Sequence, residues 1–197
     1  MIELILVRHG ETDSNVKGTY LGWTDVDLNE KGIQQAYRAK EKLKGYSIDA
    51  IYCSPLKRVV DTANIINQNF NMEIELSDDL KERNFGKWDD LTLREIMEKF
   101  KFEYDLWVND WKNHCVTDGE SAVMAYDRIK NFIDGLLKNK KDGTFLIVTH
   151  SGCIKKIISY LLGMGLDGTW RFDVDNAALC KLKINDEGYA YLTALNA

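Results

Sequence analysis

Short aliphatic runs alternate along the chain with longer amphipathic stretches. The aliphatic runs predict strands at residues 2–7, 49–53, 73–76, 144–149, 177–184 and 189–195. The last two runs flank the turn-forming residues 185–188 and therefore predict a hairpin.

Apolar residues three or four positions apart indicate helices between these strands. The first predicted helix begins after Asn29, which would be its N-cap. The other predicted helices cover residues 55–68, 91–112, 121–138 and 153–162. Ser54 and Pro55 suit the N-cap and the first position of the second helix. Strands that alternate with helices predict an α/β fold, a single-domain three-layer sandwich with a mainly parallel sheet flanked by helices. The aromatic-rich stretch predicts a helical cap around residues 90–115.

Composition supports one domain over residues 1–197. With 197 residues, 45% of them hydrophobic, the chain is long enough to bury one core. It contains a single proline and no linker-like stretch, which favours one domain. A net charge of -5 argues against a nucleic-acid partner. No apolar run is long enough to span a membrane, and the four cysteines lack framework spacing. We therefore expect a cytoplasmic protein.

The candidate catalytic residues lie where three predicted strands end. Arg8 and His9 follow the first strand, Arg58 lies shortly after the second, and His150 follows the strand at residues 144–149. Ligands of open α/β sheets bind at the carboxyl ends of parallel strands, so these four residues should converge. The helix N-termini after Ser54 and Ser151 would add backbone N–H groups that favour an anion. The pattern predicts a phosphate pocket.

Other polar residues have simpler interpretations, and the sequence lacks the motifs of rival phosphate or metal sites. We interpret Arg83, Arg94 and Arg128 as solvated charges and His114 as an ordinary polar residue. The chain has no P-loop pattern, and Cys53 stands one residue too close to Arg58 for a cysteine phosphatase. A cation would be repelled by arginines beside the two histidines, so we expect neither a metal ion nor another cofactor.

Six sequence blocks make the chain resemble the histidine phosphatase superfamily, also called phosphoglycerate-mutase-like. In chain order the matching blocks are Leu6–Thr12 with Asn15, Gly22–Ala36, Ser54–Ala63, Glu82–Trp88, Asp118–Ser121 and Val148–Gly152. The first contains the Arg-His-Gly triplet of the family, which would be a weak signal alone. Six blocks in family order cover essentially the whole chain.

The resemblance implies roles for individual residues. It implies His9 as the nucleophile that becomes phosphohistidine, and Glu82 as the acid/base carboxylate. The remaining implied site residues are Arg8, Arg58 and His150 as a catalytic cationic pocket, Asn15 as a phosphate contact, and Leu21, Gly22, Ser151 and Gly152 as ligand-lining positions. The residues alone leave Glu11, Asp79 and Glu120 open as alternatives to Glu82. We expect a neutral His9, held by a backbone carbonyl, and a charged His150.

Within the superfamily, the middle and end of the chain are most similar to α-ribazole phosphatases of cobalamin biosynthesis. The matching pieces are Leu80–Asp89, Trp107–Trp111, Thr117–Glu120 and Leu162–Asp175. This resemblance implies metal-independent hydrolysis of α-ribazole 5′-phosphate. The alternatives are a broad-specificity histidine phosphatase, a phosphoglycerate mutase, or a non-catalytic phosphate-binding module.

Aromatic residues near the pocket would suit a flat base such as benzimidazole. The candidates for stacking are Trp23, Trp88, Tyr104, Trp107 and Trp111. Their alternative role is to pack the cap against the sheet. We expect a small-molecule phosphate ester as partner, no membrane or nucleic acid, and a monomer or homodimer.

Overall fold

One six-stranded sheet organises the computed structural model, which describes residues 1–197. The strands are β1 (Ile2–Arg8), β2 (Ala50–Cys53), β3 (Ile74–Leu76), β4 (Gly143–Thr149), β5 (Leu179–Ile184) and β6 (Ala190–Ala194). Their order is β3-β2-β4-β1-β5-β6; the first four in that order run parallel, and β5 and β6 run antiparallel to their neighbours. Three strands separated in sequence, β2, β4 and β1, are therefore neighbours at the centre.

Helices cover both faces of the sheet. They are α1 (Asp13–Lys17), α2 (Glu30–Lys42), α3 (Lys57–Asn67), α4 (Leu93–Lys99), α5 (Lys101–Asn109), α6 (Ala122–Asn139) and α7 (Ser151–Leu161). Short 3-10 helices lie at Asp78–Leu80, Gly86–Trp88 and Leu166–Arg171. No helix is long and apolar enough to cross a membrane.

Successive side chains of the central strands point to opposite faces of the sheet, as in any β-strand. Leu4 and Leu6 pack in one core with Ile133 of α6 and with α7. Ile5 and Val7 pack in a second core with Val59 of α3 and with α2. Each fully buried aliphatic side chain contributes about 1.5–3 kcal/mol. The two cores confirm the predicted three-layer α/β sandwich.

The predicted helical cap is confirmed, but the single helix predicted over residues 91–112 is wrong, because Phe100 separates α4 from α5. A small third core lies beneath the cap, formed by Trp88, Ile96 and Val116. Helix α4 contributes Ile96 to this core, whereas α5 buries no residue completely. The cap is therefore attached to the domain by a modest apolar contact.

Most element boundaries agree with the prediction, and Asn29 does cap its helix through the N–H of Gly32. The helix predicted from Pro55 is wrong at its start, because α3 begins at Lys57 and Leu56 stands at the cap without a side-chain hydrogen bond. Helix α7 begins at Ser151, two residues before the predicted start. Helix α1, which is only five residues long, was not predicted.

Candidate active site

Three central strands end at one place, as the sequence predicts. The register pairs Arg8 with Thr149 on parallel strands β1 and β4, and the N–H of His9 donates to the carbonyl of Thr149 at 2.9 Å. His9 and His150 consequently lie side by side, with ring centroids 5.2 Å apart and planes inclined at 67°. The sheet itself brings the two histidines together.

The ring of His9 is held in one tautomer. Its Nδ1 lies 2.7 Å from the carbonyl oxygen of Gly10. A carbonyl only accepts, so Nδ1 carries the proton and Nε2 keeps its lone pair. Burial, Arg58 and Arg8 together lower the pKa of His9 well below its ordinary value. The expectation of a neutral His9 fixed by a backbone carbonyl is confirmed.

His150 is held in the opposite tautomer. Its Nδ1 lies 3.2 Å from Nη2 of Arg58, and its Nε2 lies 2.9 Å from Oγ of Ser54. A guanidinium only donates, so Nδ1 accepts and Nε2 carries the proton. Burial, Arg58 and His9 lower the pKa of His150 well below its ordinary value. The prediction of a charged His150 is wrong, because a buried imidazole beside a guanidinium favours the neutral form.

Two guanidinium groups flank the histidines. Arg58 is fully buried, and its Nη1 and Nη2 donate to the carbonyls of Thr24 and Gly22 at 2.9 and 2.6 Å. Arg8 donates through Nη1 to the carbonyl of Val174 at 2.6 Å. The Nε atoms of both arginines are buried and have no acceptor. Buried donors are normally satisfied, so these two favour an anionic ligand at this place.

Glu82 reaches the site from outside the sheet. Its Oε2 accepts from the N–H of Gly152 at 2.9 Å, and its Oε1 accepts from the N–H of Arg83 at 3.0 Å. A β-carbon at Gly152 would collide with this carboxylate, so a larger residue there would displace the Glu82 side chain. The N–H of Gly152 is therefore directed at Glu82, which contradicts the prediction that it faces the anion.

The start of α3 also departs from the prediction. Ser54 binds His150 and does not cap the helix, so no hydroxyl-capped N-terminus lies there. Cys53 beside it is buried, which raises the pKa of its thiol far above the ordinary range. This thiol is protonated at neutral pH and is no phosphatase nucleophile.

Asn15, Leu21 and Gly22 lie on the loops above β1. Asn15 completes the capping box of α1 with Thr12, and its Oδ1 also accepts from Nδ2 of Asn176 at 3.2 Å. Asn15 and Leu21 line the cavity described below. Gly22 does not line it, and contributes its carbonyl to Arg58.

A cavity of about 380 Å³ opens over His9. Of the predicted site residues, its walls include Arg8, His9, Asn15, Leu21, Glu82, Ser151 and Gly152. Arg58 and His150 are not part of the walls and lie buried beside His9. The structure therefore brings all the predicted residues to one region, in two layers.

The cavity walls also carry aromatic and basic side chains. Trp107 and Trp111 line it, whereas the other three stacking candidates do not. Trp88 is buried beneath the cap against Tyr104, and Nε1 of Trp23 donates to the carbonyl of Glu82. Stacking on a ligand is thus open only to two of the five predicted aromatics.

Several lining residues were missed by sequence reasoning. Besides Arg83, they include Tyr20, Phe85, Lys155, Lys156, Thr169 and Trp170. Arg83 is only 6% exposed, so its interpretation as a solvated charge is wrong. Its position directly after Glu82 in a family block was the available signal. Arg94 is solvent-exposed and pairs with Glu98, as expected.

Comparison with known proteins gives a consistent result. The family model described as histidine phosphatase superfamily (branch 1) matches residues 4–197. An adenosylcobalamin/alpha-ribazole phosphatase of Escherichia coli K12 is 32% identical over 196 residues, covering 100% of this chain and 96% of the relative. Phosphoserine phosphatase 1 of Hydrogenobacter thermophilus is 35% identical over 178 residues, covering 90% and 84%.

Solved structures agree with the sequence comparison. The crystal structure of the alpha-ribazole phosphatase from Shigella flexneri superposes with a TM-score of 0.94 at 33% identity. The match covers 99% of this chain and 96% of that one. The likeness therefore extends over the cap as well as the sheet.

Proposed function

Since the chain belongs to the histidine phosphatase superfamily, we propose that it is a phosphomonoesterase acting through a phosphohistidine on His9. The observation that carries the proposal is the state of His9, a neutral ring whose Nε2 lone pair is free beside two guanidinium groups. Phosphoryl transfer depends mostly on positioning and on electrostatic stabilisation of the equatorial oxygens. The site supplies both.

In the proposed first step, Nε2 of His9 attacks phosphorus while the bond to the ester oxygen breaks. Arg8 and Arg58 hold the phosphoryl oxygens through their free Nε groups, together with Asn15. His150 joins them by turning the N–H of its Nε2 from Ser54 to the anion. Glu82 gives its proton to the departing alkoxide. Such proton transfer contributes typically 10²–10⁴-fold to the rate.

In the second step a water molecule attacks the phosphohistidine. Glu82 takes the proton of that water, the N–P bond breaks, and inorganic phosphate leaves. Glu82 is then protonated again and His9 is neutral, so the cycle closes. Leu21, Ser151 and Gly152 are proposed as walls of the ligand site. Gly22 is proposed to act through its carbonyl, which holds Arg58.

We propose α-ribazole 5′-phosphate as the substrate. The proposal is supported by the full-length likeness to the Escherichia coli and Shigella flexneri phosphatases. A flat benzimidazole also suits an aromatic wall, and Trp107 and Trp111 line the cavity that opens over His9. Phosphoserine is a second candidate, because a phosphoserine phosphatase is 35% identical to the chain.

The test is phosphate release, measured as kcat/KM, on α-ribazole 5′-phosphate, phosphoserine, 3-phosphoglycerate, a nucleoside 5′-monophosphate and p-nitrophenyl phosphate. We expect a preference of about 100-fold for α-ribazole 5′-phosphate, equal to about 2.7 kcal/mol of transition-state binding. A flat profile would keep the histidine chemistry and indicate broad specificity. Conversion of 3-phosphoglycerate to its isomer would indicate a mutase. Absence of turnover on every ester would indicate a phosphate-binding module.

We propose residues 1–197 as one histidine phosphatase domain. The cytoplasmic location and the monomeric or homodimeric state stay predictions.

A further inference from the structure

The proposed acid/base residue lies in a segment without regular secondary structure. Glu82 stands between two single-turn 3-10 helices, at Asp78–Leu80 and Gly86–Trp88. The segment pairs with no strand of the sheet, although Oγ1 of Thr149 at the end of β4 donates to the carbonyl of Leu80 at 2.7 Å. The backbone next to Glu82 must therefore be fixed by further contacts if the carboxylate is to keep its place.

An arginine of α6 supplies contacts on one side of Glu82. Arg128 donates through Nη1 to the carbonyls of Asp79 and Lys81, at 2.7 and 3.0 Å. Its Nε and Nη2 bind the two carboxylate oxygens of Glu120 at 3.0 and 2.9 Å. The interpretation of Arg128 as a solvated charge is wrong, because its side chain is only 16% exposed.

Glu120 supplies contacts on the other side. Its Oε2 accepts from the N–H of Asn84 at 2.9 Å, while its own N–H and carbonyl bind the carbonyl of Asn84 and Nε of Arg83. The bidentate pair thus binds backbone groups both before and after Glu82. Charge-assisted bonds of this geometry are shorter and stronger than neutral ones.

We propose that Arg128 and Glu120 form a positioning pair that fixes the carboxylate of Glu82 for proton transfer. This rests on the proposed function, since it assigns the pair to the acid/base step of that reaction. Neither residue lines the cavity. Misplacement of a catalytic group by about 1 Å can cost 10²-fold in rate, so a weakened pair should slow the step that needs the proton.

The experiment compares kcat/KM for two substrates, an alkyl phosphate and p-nitrophenyl phosphate. The first has a leaving group that needs the proton of Glu82, and the second has one that leaves without it. We expect Arg128→Gln and Glu120→Gln to lower kcat/KM for the alkyl ester by about 10- to 100-fold, and for p-nitrophenyl phosphate by less than about 3-fold. Arg128→Lys should recover part of the loss.

The matched control is Lys130→Gln. Lys130 lies on the same helix and pairs with Asp134 at 2.6 Å, away from the Glu82 segment. We expect it to change kcat/KM for both esters by less than about 2-fold. Thermal unfolding of each variant separates loss of fold from loss of positioning, and Glu120→Gln decides the matter if Arg128→Gln does not fold.

A double-variant cycle completes the test. In the Glu82→Gln background, Arg128→Gln should reduce kcat/KM for the alkyl ester by less than about 2-fold, because the group it positions is already absent. Equal losses for both esters in the single variants, or additive losses in the double variant, would overturn the positioning pair. If the unaltered protein releases phosphate from neither ester, the proposed function itself fails.

Discussion

The two halves of the cavity are built in different ways. The part proposed to bind phosphate, the phosphate half, lies at the ends of β1, β2 and β4, where His9 lines the cavity and Arg58 and His150 are buried beside it, each at most 3% exposed. The leaving-group half is formed by the Glu82 segment, the end of the cap and the 3-10 helix at Leu166–Arg171. In the proposed function, the residues that carry the chemistry therefore lie at the edge of the sheet, and those that select the ester lie on loops and short helices.

The halves also differ in how firmly they are attached. Strand β1 is hydrogen-bonded on both sides along nearly its whole length, to β4 and β5. The cap region contacts the 3-10 helix at Leu166–Arg171 in two places. Nζ of Lys112 lies 2.6 Å from Oδ2 of Asp167, and the ring centroids of Trp111 and Trp170 are 5.4 Å apart. Changes in the first half should destroy the reaction, and changes in the second should alter which ester reacts.

The largest effect is expected for His9→Ala. Loss of the nucleophile should lower kcat by about 10³-fold or more for every ester and should abolish phosphoenzyme labelling. The control is His114→Ala, which removes the histidine that neither lines the cavity nor stacks against His9. Phosphoenzyme formation in His9→Ala would contradict the assignment of the nucleophile.

A smaller and selective effect is expected for Trp111→Ala. Aromatic stacking contributes about 0.5–1.5 kcal/mol, so KM for α-ribazole 5′-phosphate should rise about 2- to 10-fold while KM for p-nitrophenyl phosphate stays unchanged. Phe102→Ala is the control, because this residue of α5 is 78% exposed and does not line the cavity. An equal rise of KM for both esters would contradict stacking.

The smallest effect is expected from pH. A histidine with the ordinary pKa of about 6.5 would lose about tenfold of its neutral form by pH 5.5. Because burial and the two arginines lower the pKa of His9, kcat/KM for p-nitrophenyl phosphate should fall by less than about 2-fold between pH 7.5 and 5.5. A tenfold fall with a midpoint near pH 6.5 would contradict the neutral, buried nucleophile.

The same pKa shift affects stability in a definite direction. The unfolded chain takes up protons on His9 and His150 near pH 6.5, whereas the folded protein resists them. The free energy of unfolding is therefore highest above pH 6.5 and declines as the pH falls toward the lowered pKa values. Urea titrations at pH 7.5 and 5.5 measure this decline.

The phosphate half could be predicted from the sequence because its signals are local. Arg8 and His9 directly follow an aliphatic strand, and His150 directly follows another, so a parallel sheet places them at one edge. The family blocks confirm the fold that this pattern indicates. The one wrong prediction in this half is the charge of His150. Its burial beside Arg58 depends on tertiary packing, which the sequence does not show.

The leaving-group half could be predicted only in part. Arg83 and Arg128 look like ordinary surface charges in the sequence, and only the folded chain places them against the backbone around Glu82. Nothing in the sequence distinguishes Trp88 from Trp107, yet Trp88 is buried beneath the cap and Trp107 lines the cavity. Contacts between distant segments decide these outcomes, and periodicity carries no information about them.

The position of β4 in the sheet has a consequence for biosynthesis. Strand β4 lies between β2 and β1, although it is made after both. A ribosome-bound chain that ends before Gly143 has no partner to join its first two strands, and it exposes their edges. The cluster of His9, Arg58 and His150 can assemble only when more than three quarters of the protein has been translated. Incomplete translation products that end before His150 therefore carry the Arg-His-Gly segment without its partner histidine.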